Sequence, residues 1–122
     1  MTLRAARGRA AEAVAEQFVR DLGLDVIGRN LRFGSLELDL VARDGAVVVV
    51  VEVRTRGKGA WAGALDSVDH KKQARLRRAA ELLWVKQASR WPGIERLRFD
   101  VASVDLDAEG GPRVEYIRAA FT

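Results

Sequence analysis

The sequence contains no cysteine and only one histidine, His70. Disulfides, thiolate zinc sites and cysteine nucleophiles are therefore excluded, and a metal ion would have to be held by oxygen atoms or by His70 alone. No second histidine exists to join His70, so a surface position near a helix start is its expected place. Nor does any apolar run approach the ~20 residues that a membrane span requires. The opening stretch MTLRAARGRAAEA has arginines but no apolar core of the signal-peptide kind, which argues against secretion and for a cytoplasmic protein without a membrane partner. No internal repeat, low-complexity tract or linker is visible.

What is present fits one domain spanning residues 1–122, long enough to bury a core. Hydrophobic residues at 48% and charged residues at 31% form an ordinary globular balance. Lys and Arg total 21 against 17 Asp and Glu. That excess is modest, so its placement matters more than its size. The cations cluster: Arg54, Arg56 and Lys58 follow one another, and Lys71, Lys72, Arg75, Arg77 and Arg78 come soon after.

Apolar spacing predicts a first helix from about Ala5 to Leu22, carried by Ala11, Val14, Ala15, Phe18 and Val19 and closed by Gly23. A short strand is expected over Leu24 to Asn30. Leu36, Leu38, Leu40 and Ala42 then alternate with Glu37, Asp39 and Val41 as in a half-buried strand. Arg43, Asp44 and Gly45 signal a hairpin turn, and the unbroken valines of AVVVVVEVR, residues 46–54, fit a central strand covered on both faces. A second helix is predicted from Asp66 or Ser67 to about Ala88, with Leu76, Ala79, Ala80, Leu83 and Trp84 inward and Ser67 and Asp69 as candidate caps. A strand through Leu97, Phe99 and Val101 and another over Val114 to Ile117 complete the expectation.

Glu52 is the most informative residue. It interrupts a valine run, where an unpaired carboxylate costs several kcal/mol by the usual order of magnitude. Either a structural ion pair with Arg54 or a helix lysine neutralises it, or an ion of the Mg²⁺ or Mn²⁺ type does, together with a second carboxylate. If Asp44-Gly45 forms the loop so that Arg43 faces Ala46, Asp39 lies opposite Val50 and diagonal to Glu52, ~7–8 Å away at the backbone. Alternation then puts Glu37, Asp39, Glu52 and Arg54 on one face. Asp100, between Phe99 and Val101, is read as the partner of Arg98 or another cation.

RAAEAVAEQFVRDLGLDVIGRN (9–30), LELDLVA (36–42), VEVRTR (51–56), KQARLRRAA (72–80) and RFDV (98–101) occur in this order and spacing. Together they resemble the YraN-like family of small bacterial proteins, in which the second and third stretches read GEIDLIA and VEVKTR. The resemblance spans roughly residues 8–104. It implies an α/β fold of the restriction-endonuclease-like, Holliday junction resolvase-like type, with a mixed sheet of four to five strands flanked by helices. It further implies a nuclease that binds Mg²⁺ or Mn²⁺ through Asp39, Glu52 and the backbone carbonyl of Val53, with Glu12 as the helix glutamate acting through water and Arg54 at the lysine position. Arginine stabilises negative charge but does not serve as a base. Ala11 and Leu36 also stand where the family usually has glycine.

For nucleic acid, expected to be DNA, the candidate contacts are Arg56, Lys58, Lys71, Lys72, Arg75 and Arg78, with Lys72 first because it matches a family lysine. Lys71, Arg75 and Arg78 share a helix face that suits either a phosphate backbone or plain solvation, and the loop Arg54 to Gly63 is read either as an arm whose Trp61 stacks on a base or as a plain loop. The expected activity is metal-dependent hydrolysis of DNA, with branched or structured DNA as the candidate substrate. The alternatives are a binding protein of the same fold that no longer cuts, and a scaffold that binds protein through its exposed helix and tryptophans. Resolvase-like relatives often work as dimers, which makes a homodimer compatible with the reading.

Overall fold

Helix and strand signals place seven regular elements in the computed structural model, which describes residues 2–56 and 68–122. They are α1 (Leu3–Asp21), β1 (Asp25–Phe33), β2 (Leu36–Asp44), β3 (Val47–Thr55), α2 (His70–Lys86), β4 (Arg96–Asp105) and β5 (Arg113–Phe121). A short 3₁₀ turn, Ala88–Arg90, follows α2. The expectations for Lys58, Trp61, Asp66 and Ser67 lie outside the described residues. Thr2 caps α1 by accepting the Ala5 amide at 3.1 Å, and Asp69 caps α2 by accepting the Lys72 amide at 2.8 Å. Each thereby satisfies one of the orphan donors of a first turn.

The strands form one mixed sheet in the order β1-β2-β3-β4-β5. Consecutive pairs are antiparallel except β3 and β4, which run parallel and are joined through α2. This is the mixed α/β sheet with flanking helices that the sequence implies. The valine run explains the middle: Val48, Val49, Val50 and Val51 are at most 1% exposed because helices cover both faces. Val48 and Val50 pack under α2 with Leu76, Ala79 and Leu83, whereas Val49 and Val51 pack under α1 with Ala11, Ala15 and Val19. Burying each such valine stabilises the fold by about 1.5 kcal/mol or more. No helix among the described residues is long and apolar enough to cross a membrane.

Two strand expectations need correction. The β2–β3 loop is Gly45-Ala46, with Asp44 facing Val47 and Arg43 facing Val48, so the register lies two residues from an Asp44-Gly45 turn. Gly45 has φ +59°, the positive value that a two-residue hairpin needs at its first loop position. The alternation of β2 also breaks. Leu36 and Leu38 pack on the α2 side, but Leu40 and Ala42 pack on the α1 side, so the pleat changes face at Asp39. Opposite that point in β1, between the pairs Arg29–Leu40 and Leu31–Leu38, Asn30 has φ +49°. Asparagine tolerates this left-handed conformation better than most residues. β1 and β5 also run longer than expected, and β1 joins β2 through Gly34-Ser35.

Candidate functional site

Glu52 leaves β3 on the α2 side and is 3% exposed. Its Oε1 lies 3.5 Å from Lys72 Nζ and 3.8 Å from Arg54 Nη1, both too long for a good hydrogen bond. Its Oε2 is buried with no hydrogen-bond partner among the described residues. The carboxyl group is accordingly pushed up to about 8, first by burial and next by the charge of Asp39, whose side chain also holds the protonated form by a hydrogen bond, against the opposing pull of Lys72 and the weaker pull of Arg54. Two nearby cations thus fall short of compensating one buried carboxylate.

Asp39 is fixed differently. Its carboxylate accepts the backbone N–H of Val53 at 3.1 Å, beyond the last β2–β3 pair, Leu40 with Val51. Extending the observed register sets Asp39 across from Glu52, in place of the diagonal relation expected from the sequence. The face change at Asp39 likewise replaces the expectation that Glu37, Asp39, Glu52 and Arg54 all point one way. Asp39 borders two cavities. One, about 220 Å³, is polar and lined by Ser35, Glu37, Lys72 and Arg75; the other, about 260 Å³, includes Arg9, Glu12, Arg29 and Asn30.

Glu12 lies beside the buried line Ala11, Ala15 and Val19 of α1 and is half-buried. Burial, and after it the charge of Asp39, pushes its carboxyl group up, while the neighbouring Asn30 side chain holds it down. Glu12 and Glu52 therefore feel the same aspartate from the two sides of the sheet. Among the described residues, no group of three or more acidic or histidine side chains converges on a single point that could hold an ion. The Asp39 and Glu52 pair is the available donor set, with Val53 nearby through the amide that Asp39 holds.

The remaining candidates divide. Lys72 and Arg75 reach the cavity beside Asp39, whereas Lys71 is exposed and Arg78 pairs at the surface with Glu81 at 3.3 Å. Arg56 lies 3.4 Å from Glu115. His70 is exposed at the first position of α2. Asp100 is fully buried and bonded by Arg98 at 2.9 and 3.0 Å, by the Tyr116 hydroxyl and by the Ala119 amide. Asn30 and Ser35 are the site neighbours that sequence reading missed. An asparagine inside a strand and a Gly-Ser turn beside LELD were the available signals.

The family model described as uncharacterised protein family UPF0102 matches residues 11–104. The chain belongs to the UPF0102 family. It is 50% identical to a UPF0102 protein of Sorangium cellulosum over 97% of this chain and 81% of that relative. It is 45% identical to one from Pseudomonas aeruginosa, over 94% and 91%, and 41% identical to one from Acidothermus cellulolyticus, over 97% and 95%. The stretch matched by the UPF0102 model contains Glu12, Asp39, Glu52, Arg54 and Lys72, and the YraN-like motifs read from the sequence are those of UPF0102.

Proposed function

We propose that this UPF0102 protein is a metal-dependent nuclease with the restriction-endonuclease-like form of the α/β sheet. Its reaction is hydrolysis of phosphodiester bonds in DNA, with branched or otherwise structured DNA as the preferred substrate. One observation carries the reading: a buried carboxylate, Glu52, with an orphaned oxygen and an aspartate close enough to raise it. A settled ion pair would hold both oxygens at hydrogen-bonding distance, whereas the two cations near Glu52 stand off at 3.5 and 3.8 Å, and the carboxyl group instead keeps a proton beside Asp39 up to about pH 8. A divalent cation can take the place of that proton between the two carboxylates, and Mg²⁺ is commonly held by one or two protein carboxylates, waters and substrate phosphates.

The donor set therefore fits Mg²⁺ or Mn²⁺, held by Asp39, Glu52 and the Val53 carbonyl. Such an ion supplies an activated water and charge stabilisation at the scissile phosphate. The chain's own residues divide the other work. The Val53 amide fixes the Asp39 carboxylate. Arg54 and Lys72, each within 4 Å of Glu52, contribute positive charge beside the carboxylate pair.

The test incubates the protein with a four-way junction and with single-stranded DNA in Mg²⁺, Mn²⁺ or chelator, alongside Asp39→Ala and Glu52→Ala. Cleavage that needs metal and both carboxylates supports the reading. Metal-dependent cleavage that survives both substitutions points to a contaminant. A second reading, a nucleic-acid-binding protein that no longer cuts, is favoured by Arg54 at the lysine position. Salt-sensitive binding without cleavage would establish it.

A further inference from the structure

A second cationic cleft opens between the start of α1 and the end of β3. It encloses about 650 Å³, within the size range of ligand sites, with Arg4 and Arg7 on its α1 wall and Arg54 on its β3 wall. Arg4 and Arg7 are three residues apart and share a helix face. Gly8, on the same wall, faces open space, since no atom lies within 4 Å of where a side chain would begin. The first turn of α1 has no acidic residue, so cations gather where the helix dipole disfavours them. Arg7 is held by Asp107 at 2.7 Å, but both side chains are more than a third exposed, and such a pair is readily exchanged for another anion.

This cleft and the cavity beside Asp39 each carry one of the two cations that flank Glu52. Arg54 lines the first and Lys72 lines the second, and both stand within 4 Å of the same oxygen, Glu52 Oε1. Arg4 and Arg7 lie outside the residues that the family model matches and carry no motif.

We infer that the α1–β3 cleft binds the phosphate backbone of a nucleic-acid strand on one side of the carboxylate pair, while Lys72 and Arg75 hold it on the other. Arg4 and Arg7 are then binding residues, and the strand runs from Arg54 to Lys72, the two cations that flank the buried Glu52. The inference rests on the nucleic-acid reading above but does not require cleavage.

The test is fluorescence anisotropy with a labelled single-stranded oligonucleotide, in chelator, across a salt series. Each phosphate contact on a single strand contributes about 0.7 to the salt slope. The doubly substituted Arg4→Ala, Arg7→Ala protein should therefore lose about sevenfold less affinity than wild type between about 50 and about 200 mM salt. Asp107→Asn removes the competitor for Arg7 and should tighten binding, an outcome that a purely structural pair would not give. Because the chain lacks cysteine, Gly8→Cys carrying an aryl azide reports directly, by crosslinking the strand. An unchanged salt slope, or no crosslink and no tightening, overturns the cleft assignment while Arg75→Ala still weakens binding. A wild-type protein that binds no nucleic acid overturns both readings, and inorganic phosphate displacing the strand at equal charge concentration shows an anion site without strand specificity and overturns this one.

Discussion

Glu52→Gln separates a strained site from a settled ion pair by the sign of its effect on stability. In the folded chain the Glu52 carboxyl group is pushed up to about 8 from an ordinary 4.5. Between those values the native protein keeps a proton that the unfolded chain has already released. Stability therefore falls as pH rises, by about 1.4 kcal/mol per pH step. The cost is absent below the unfolded value, reaches about 3 kcal/mol near pH 7, and is complete above the folded one. Glutamine keeps the shape and cannot ionise, so the variant should be the more stable protein at neutral pH, with the gap closing towards acid. Urea denaturation followed by circular dichroism from about pH 5 to about pH 8, in chelator, measures that gap. Glu12, also raised, affects both proteins alike and cancels in the difference. Adding Mn²⁺ should recover stability in wild type and not in the variant. If Lys72 and Arg54 neutralised Glu52 fully, its removal would lose that pairing and make the variant the less stable protein at neutral pH. A variant less stable than wild type at pH 8 refutes the reasoning.

Other substitutions probe separate parts of the molecule. Asp39→Ala should cost about 1–3 kcal/mol because the Val53 amide loses its acceptor, whereas Asp39→Asn retains an oxygen there and should cost less; thermal melts of the pair distinguish them. Asp39→Asn should also bring the Glu52 carboxyl group down, which appears as a flatter decline of stability with pH in the same titration. Asp100→Ala leaves the buried Arg98 without its bidentate partner and should destabilise by about 3–5 kcal/mol, read from the urea midpoint. Arg54→Lys should raise the rate of metal-dependent cleavage of a four-way junction, and Lys72→Met should lower it by about 10²-fold, since it removes a positive charge beside the carboxylate pair.

The sheet and its two helices were legible because valine runs, leucine spacing and cap residues report local physics. Asp69 as the cap of α2 and Leu76, Ala79, Ala80 and Leu83 as its inner face follow directly from such spacing. The face change at Asp39 was not legible. Leu36, Leu38, Leu40 and Ala42 suggest one uninterrupted face, and only the left-handed Asn30 across the strand pair accommodates the slip. The register was misread because Asp-Gly and Gly-Ala are both acceptable loops by composition, and cross-strand packing of the valines chooses between them. Asp39 and Glu52 stood out as candidates from their type and motif positions. Asn30, Ser35, Arg4 and Arg7 carry no such mark, because tertiary packing alone brings them near the pair.

The two outermost strands are each interrupted. β1 carries an irregularity between Val26 and Gly28 and the left-handed Asn30, while β5 carries the left-handed Ala119 and pairs with a β4 whose register shifts between Phe99 and Val101. A flat, fully extended margin would template the backbone of a neighbouring molecule, and kinked margins frustrate that templating. Edge-to-edge extension of the five-stranded sheet by a second copy is accordingly disfavoured.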